Sequence, residues 1–269
     1  MNRINTQSSD MYPPLVTAVG GLDPSGGAGL FADQRAILST GCHFAGICAT
    51  LTIQNGIRFV QSTPLPPADI ENTLSLIHAH RPISTIKTGA LGSAGAIEAV
   101  CRFASQHTDI PLIVDPVFKS TTGGNLLNKY GEEALKKILI HTATLITPNL
   151  QEAAALCGQS IRNVAEMEAA AKQILALGAA NVLIKGGHLE GGDAVDVLAL
   201  ADGEIIRLVS TRLNTGEVRG TGCALASLIA GQIALGEPMV SAVERAKQAL
   251  FAGMKNAWFP ATGPGILQF

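Results

Sequence analysis

Two glycine-rich turns and one thiol carry the chemistry most visible in the chain. Arg219-Gly220-Thr221-Gly222-Cys223 runs directly into the apolar stretch Ala224-Leu225-Ala226-Ser227-Leu228-Ile229-Ala230. Backbone amides from Gly220 to Cys223 at a helix N-terminus form an anion hole, suited to negative charge that develops on a group in transfer. A thiol at that end of a helix tends toward a lowered pKa, which makes Cys223 a candidate proton acceptor. A glycine turn before a buried helix, with Cys223 as a small core residue, is the other reading. The second turn, Gly20-Gly21-Leu22-Asp23-Pro24-Ser25-Gly26-Gly27-Ala28-Gly29, leaves a strand-like run and enters a helix-like one, where open α/β sheets bind ligands.

Within that turn, Gly27-Ala28-Gly29-Leu30-Phe31-Ala32 matches a dinucleotide-binding fingerprint. The fingerprint also expects an acidic residue about 20 positions further on. From Gln34 to Ala68 there is none, so a nicotinamide site loses its ribose anchor. No G-x-x-x-x-G-K-[ST] run occurs, which excludes a P-loop. Asn149 and Glu152 stand three residues apart at a helix start, a spacing that serves a capping box and also a site for metal-bound water. The spacing alone favours the cap. Lys185-Gly186-Gly187-His188 ends another strand-like run; Lys185 is either a phosphate ligand or a solvated strand-end lysine, and His188 reads as structural.

The elements that must position these residues follow a βαβ rhythm. Leu15 to Val19, Ile47 to Ile53, Thr85 to Lys87, Leu112 to Val114, Thr144 to Ile146 and Asn181 to Ile184 read as strands, mostly continuous apolar runs suited to a sheet covered on both faces. Helical patterns lie at Leu30 to Leu38, Ala68 to His80, Ala94 to Ser105, Gly131 to Leu139, Ala165 to Leu177, Cys223 to Leu235 and Met239 to Trp258. Ala194 to Ala201 and Glu204 to Ser210 flank Asp202-Gly203, a hairpin signal that predicts an antiparallel edge. No linker or repeat divides the chain, so one domain over residues 13–269 is expected, after a loose polar tail over residues 1–12.

With 269 residues, 47% of them apolar, the chain buries a substantial core. Nineteen basic and 21 acidic residues leave a net charge of -2 with no run of one sign, which argues against nucleic acid or a membrane surface as partner. Five scattered cysteines without a CxxC pair argue against a disulfide framework and a zinc site, and point to the cytoplasm.

Taken in order, the Asp23 turn with Asp33 after it, Thr147-Pro148-Asn149-Leu150-Gln151-Glu152-Ala153, Lys185-Gly186-Gly187-His188 and Gly220-Thr221-Gly222-Cys223 resemble the hydroxymethylpyrimidine/phosphomethylpyrimidine kinases of thiamine biosynthesis, from Val16 to Pro264. The resemblance implies an α/β, ribokinase-like three-layer αβα sandwich with a mostly parallel central sheet. It implies ATP with Mg2+ as donor, a small pyrimidine as acceptor, and a homodimer. Position by position, it places Gly21, Asp23, Gln54, Ala90 and Val117 at the substrate. Asn149, Glu152, Lys185, Gly187 and Arg219 fall on the nucleotide side, with Glu152 reaching the metal through water, and Gly220, Thr221, Gly222 and Cys223 at the catalytic position. Gln54 then reads the pyrimidine edge, since an amide offers one donor and one acceptor side by side; a polar turn ending a strand is the alternative.

Two departures bear on the substrate. The family pattern Asn-Thr-His-Gly-Thr-Gly-Cys is matched by a longer stretch from Asn214 to Cys223, in which Arg219 replaces the histidine. Ala90 stands where methionine is common, which predicts a wider pocket wall. A pyridoxal or pyridoxine kinase on the same fold, and a non-catalytic pyrimidine-binding protein, are the rival readings.

Overall fold

The computed structural model describes residues 12–120, 123–187, 189, 192–214 and 216–269. The expected tail falls, apart from Tyr12, outside them, as do His188 and Thr215. Strands β1 (Leu15–Leu22), β2 (His43–Gln54), β3 (Phe59–Pro64), β4 (Thr85–Thr88), β5 (Leu112–Val114), β6 (Leu145–Ile146), β7 (Val182–Ile184), β8 (Asp193–Ala199) and β9 (Ile205–Thr211) form one nine-stranded sheet in the order β3-β2-β1-β4-β5-β6-β7-β8-β9. From β2 to β7 all neighbours are parallel. The β8–β9 hairpin forms the expected antiparallel edge, with Gly203 of its turn at φ +90°. The opposite edge is antiparallel as well: β3 folds back on β2, a strand that Phe59 to Pro64 does not announce because half-exposed polar residues and a proline break its pattern.

Alternation along each strand divides the core. Leu112, Val114, Val182 and Ile184 face one layer, while Ile113 and Leu183 between them face the other. The first layer is built on α2 (Pro67–His80), α3 (Ala94–Gln106), α6 (Leu150–Cys157) and α7 (Val164–Ala176); the second on α1 (Gly29–Ser39), α8 (Thr221–Ala234) and α9 (Met239–Lys255). Both faces being covered explains why the strands read as continuous apolar runs. Local signals set the helix starts: the Ser93 hydroxyl accepts the Ala96 N–H at 3.2 Å, and Asn163 accepts from Glu166 at 2.9 Å. The segment expected as a helix over Gly131 to Leu139 is α4 (Lys129–Ala134), a π-helical stretch (Leu135–Leu139) and α5 (Ile140–Thr142). A small pair, β10 (Val218–Arg219) with β11 (Gly265–Ile266), ties the last residues beside the start of α8.

Parallel strands share a direction, so the carboxyl ends of β1, β2, β4, β5, β6 and β7 deliver their following residues to one rim of the sheet. Helix α8 begins at that rim.

Candidate active site

The Asp23 turn and the start of α8 meet across a cavity of about 530 Å3, and every residue assigned to the site from the sequence lines it. Glycine is required where the turns close. At Gly29, φ +58°, a Cβ would lie 2.2 Å from the Gly21 carbonyl oxygen; at Gly220, φ +73°, it would lie 2.3 Å from that of Gly27. The second contact presses the two turns together. Asp23 organises its own loop, accepting hydrogen bonds from the Ser25 amide at 3.0 Å, the Ser25 hydroxyl at 2.7 Å and the Ala28 amide at 3.1 Å.

Helix α8 has no side-chain cap, so its first amides are left for a ligand at the positive end of the helix. Lys185, delivered by β7, stands over that end: a Cβ on Gly222 would come 3.1 Å from its Nζ. The ammonium donates to Asp115 Oδ1 at 2.9 Å, and Asp115 follows β5 directly. Burial opposes the Asp115 charge, yet Lys185 and Lys87 outweigh it and hold the carboxyl below its ordinary range.

Asn149 and Glu152 do form the capping box: the Glu152 amide donates to Asn149 Oδ1 at 2.9 Å, and the Asn149 amide to Glu152 Oε2 at 2.8 Å. The cap and the site coincide, because both residues also line the cavity. Burial, with Asp115 adding to it, raises the Glu152 carboxyl to about 7 against the opposing pull of Lys185 and the Asn149 amide. Two carboxylates that repel each other beside a cavity fit a single dication held mainly by phosphate oxygens and water. Among the described residues no three acidic, histidine or cysteine side chains converge as a closed metal cage.

The lowered thiol pKa expected for Cys223 is overturned. Burial raises it to about 12, with Asp115 and Asp33 adding to the rise and Lys87 and Lys185 opposing it. Arg219, assigned to the nucleotide side, is grouped by the structure with the opposite wall: its guanidinium lies 3.3 Å from Asp23 Oδ2 and donates to Gln54 Oε1 at 3.0 Å. Ala90 packs against Gly21, where a Cβ would come 3.3 Å from the Ala90 methyl.

Sequence reasoning passed over two charged residues of the cavity. Lys87 is fully buried in β4, donating to Asp33 Oδ1 at 2.7 Å, and Ser227, one turn after Cys223 on α8, donates to the same oxygen at 2.8 Å. Burial alone would discharge Lys87, but the carboxylates of Asp33 and Asp115 hold its ammonium. A lysine inside a strand-like run, and an aspartate ending the run Leu112-Ile113-Val114, were the available signals, since buried charge demands a partner.

The phosphomethylpyrimidine kinase family model matches residues 23–268. The hydroxymethylpyrimidine/phosphomethylpyrimidine kinase of Aquifex aeolicus is 33% identical over 256 residues, covering 95% of this chain and 100% of that protein. The thiamine biosynthesis bifunctional protein ThiED of Geobacter sulfurreducens is 37% identical over 245 residues, 90% of this chain but 49% of that protein, so the chain spans about half of that relative's length. Among solved structures, the ADP complex of Bacillus subtilis pyridoxal kinase superposes with a TM-score of 0.86 at 28% identity, covering 95% of this chain and 97% of that one. Two turns meeting over an uncapped helix, the ordered motifs and a match along almost the whole sequence lead to one statement: the chain belongs to the phosphomethylpyrimidine kinase family.

Proposed function

We propose that residues 13–269 act as one kinase domain that transfers the γ-phosphoryl group of ATP to the hydroxymethyl oxygen of 4-amino-5-hydroxymethyl-2-methylpyrimidine, and then a second group to the resulting monophosphate. The observation that carries this reading is the single cavity shared by the Asp23 turn, Lys185 and the amides from Gly220 to Cys223. Acceptor on one wall and phosphates on the other bring the reacting atoms together between them.

In the transfer, the bond from γ-phosphorus to the leaving ADP oxygen breaks as the bond to the hydroxymethyl oxygen forms. The Gly220 to Cys223 amides and Lys185 meet the charge on the moving group. Glu152 and Asp115 would hold magnesium, largely through water, and the ion would there neutralise phosphate charge. Cys223 is a thiol at neutral pH, so it takes the hydroxyl proton on sulfur only by releasing its own. The Asp115 carboxylate, which lines the same cavity, would accept it. A loose transition state asks little of that base.

Incubating the purified protein with Mg-ATP and hydroxymethylpyrimidine, its monophosphate, pyridoxal or pyridoxine, and weighing the products, tests the proposal. A gain of one phosphoryl group on the pyrimidines is expected; no transfer to either pyrimidine overturns it. Pyridoxal is kept in the panel because the Bacillus subtilis pyridoxal kinase superposes so closely. A homodimer is part of the same proposal, supported by the exposed apolar side chains Leu51, Ile53, Ile57 and Val60 on and beside the β2–β3 edge. Light scattering on the eluted protein measures it. No helix among the described residues is long and apolar enough to cross a membrane.

A further inference from the structure

Gln54 is not free in its pocket. Its Nε2 donates to Thr52 Oγ1 at 2.9 Å, and Thr52 Oγ1 donates to the Leu22 carbonyl oxygen at 2.8 Å. Its Oε1 accepts from Arg219 at 3.0 Å. Both ends of this chain are obligate: a carbonyl oxygen only accepts, and a guanidinium only donates. The Thr52 hydroxyl, having spent its one hydrogen on Leu22, presents only lone pairs to Gln54. The amide therefore has one orientation, and no flip satisfies both neighbours.

Arg219 is itself fixed. It is buried to 4% exposure, lies 3.3 Å from Asp23 Oδ2 and donates to Ser25 Oγ at 3.4 Å, and Asp23 is held in turn by three hydrogen bonds of its own loop. A histidine in this position, which either donates or accepts at each nitrogen, imposes no such polarity. Once both anchors are made, Gln54 keeps one N–H and one lone pair unused. A 4-aminopyrimidine presents a ring-nitrogen acceptor beside an amino donor, the complement of that pair. Its 4-oxo counterpart presents the reverse, a ring N–H beside a carbonyl.

We propose that Arg219 is a specificity-determining residue: by pinning the Gln54 amide it makes the pocket select a 4-aminopyrimidine face and reject the 4-oxo face. This deepens the proposed function and rests on its assignment of Gln54 to the pyrimidine. An alkyl side chain in place of Arg219 frees the amide to turn, and a free amide serves either face equally.

Titration calorimetry without nucleotide tests the assignment, with 4-amino-5-hydroxymethyl-2-methylpyrimidine and its 4-oxo analogue as probes and the full chain as wild type, Arg219→Met and Thr52→Val. Circular dichroism verifies that each variant is folded, and Thr52→Val removes the other anchor should Arg219→Met not fold. The wild type is expected to bind the amino compound about tenfold or more tightly, since a reversed donor–acceptor pair leaves both sites unpaired. In either variant the ratio falls to about threefold or less. A variant that weakens both probes equally and keeps the ratio assigns its residue a merely structural part and overturns the proposal, as does a wild type that does not discriminate or binds neither compound. A phosphoryl-transfer assay runs alongside. Discrimination by the wild type without transfer removes the kinase reading and leaves the Arg219 assignment standing, whereas transfer without discrimination does the opposite.

Discussion

Cys223 sits among two lysines and two carboxylates, and the balance of those charges decides what its thiol can do. With its pKa raised to about 12, it enters the proposed transfer as a thiol, which would relay a proton and not store a negative charge. Replacing Cys223 with Ala is expected to lower kcat about 10²- to 10⁴-fold, the range for a lost proton-transfer group, with the KM for ATP held within about twofold. Steady-state kinetics reads both. Glu152 gives a second prediction, in stability. Its folded pKa of about 7 exceeds the ordinary carboxyl value of 4.5, so between those values the folded chain keeps a proton that the unfolded chain has lost. Stability therefore falls as pH rises through that window and is lowest, as far as this group decides it, above pH 7. Glu152→Gln keeps a capping oxygen and removes the titration. Urea unfolding at pH 5 and pH 8 should show the pH difference shrinking in the variant by on the order of 1–3 kcal/mol. The uncharged parts of the site were legible because glycines at a strand end announce themselves locally. Lys87 and Asp115 were not, since each is explained only by a partner far along the chain: Asp33 lies 54 residues from Lys87, and Lys185 lies 70 from Asp115.

At the scale of elements, a few backbone conformations hold the site open. Gly220→Ala forces a left-handed residue to carry a Cβ into the Gly27 carbonyl and should cost about 1–3 kcal/mol in urea unfolding, with activity lost alongside. Asn149→Ala removes the cap of α6 and should cost about 1 kcal/mol by the same measurement. The helices were readable from their apolar spacing, and their ends fell within a few residues of the expected ones. Strand β3 escaped because an edge strand with solvent on both faces has no need of an apolar run: Val60 and Gln61, which point to opposite faces, are both exposed. Helix α6 was visible only through its first turn, where Asn149 and Glu152 gave the reciprocal cap.

Across the whole molecule, the sheet separates two apolar layers, and single residues belong wholly to one of them. Ile113, fully buried, packs on the α1 and α8 side while its neighbours Leu112 and Val114 face the other. Ile113→Ala should cost about 2–5 kcal/mol in denaturant unfolding. This layering was legible, since runs such as Val182-Leu183-Ile184 leave no polar face for water. The cavity was harder to foresee, because it depends on which loops the strand order gathers. Ser25 and Arg219, which touch across it, are 194 residues apart in sequence. A ribosome delivers these partners at very different times. When the parallel strands have all emerged, the wall bearing Arg219 and the thiol is still unsynthesised, and the sheet face awaiting α8 is bare to solvent. Contacts of such long range close slowly. A chain stopped just short of α8 would leave that apolar face of the sheet uncovered, and it is expected to be cleaved by proteases faster than the full chain.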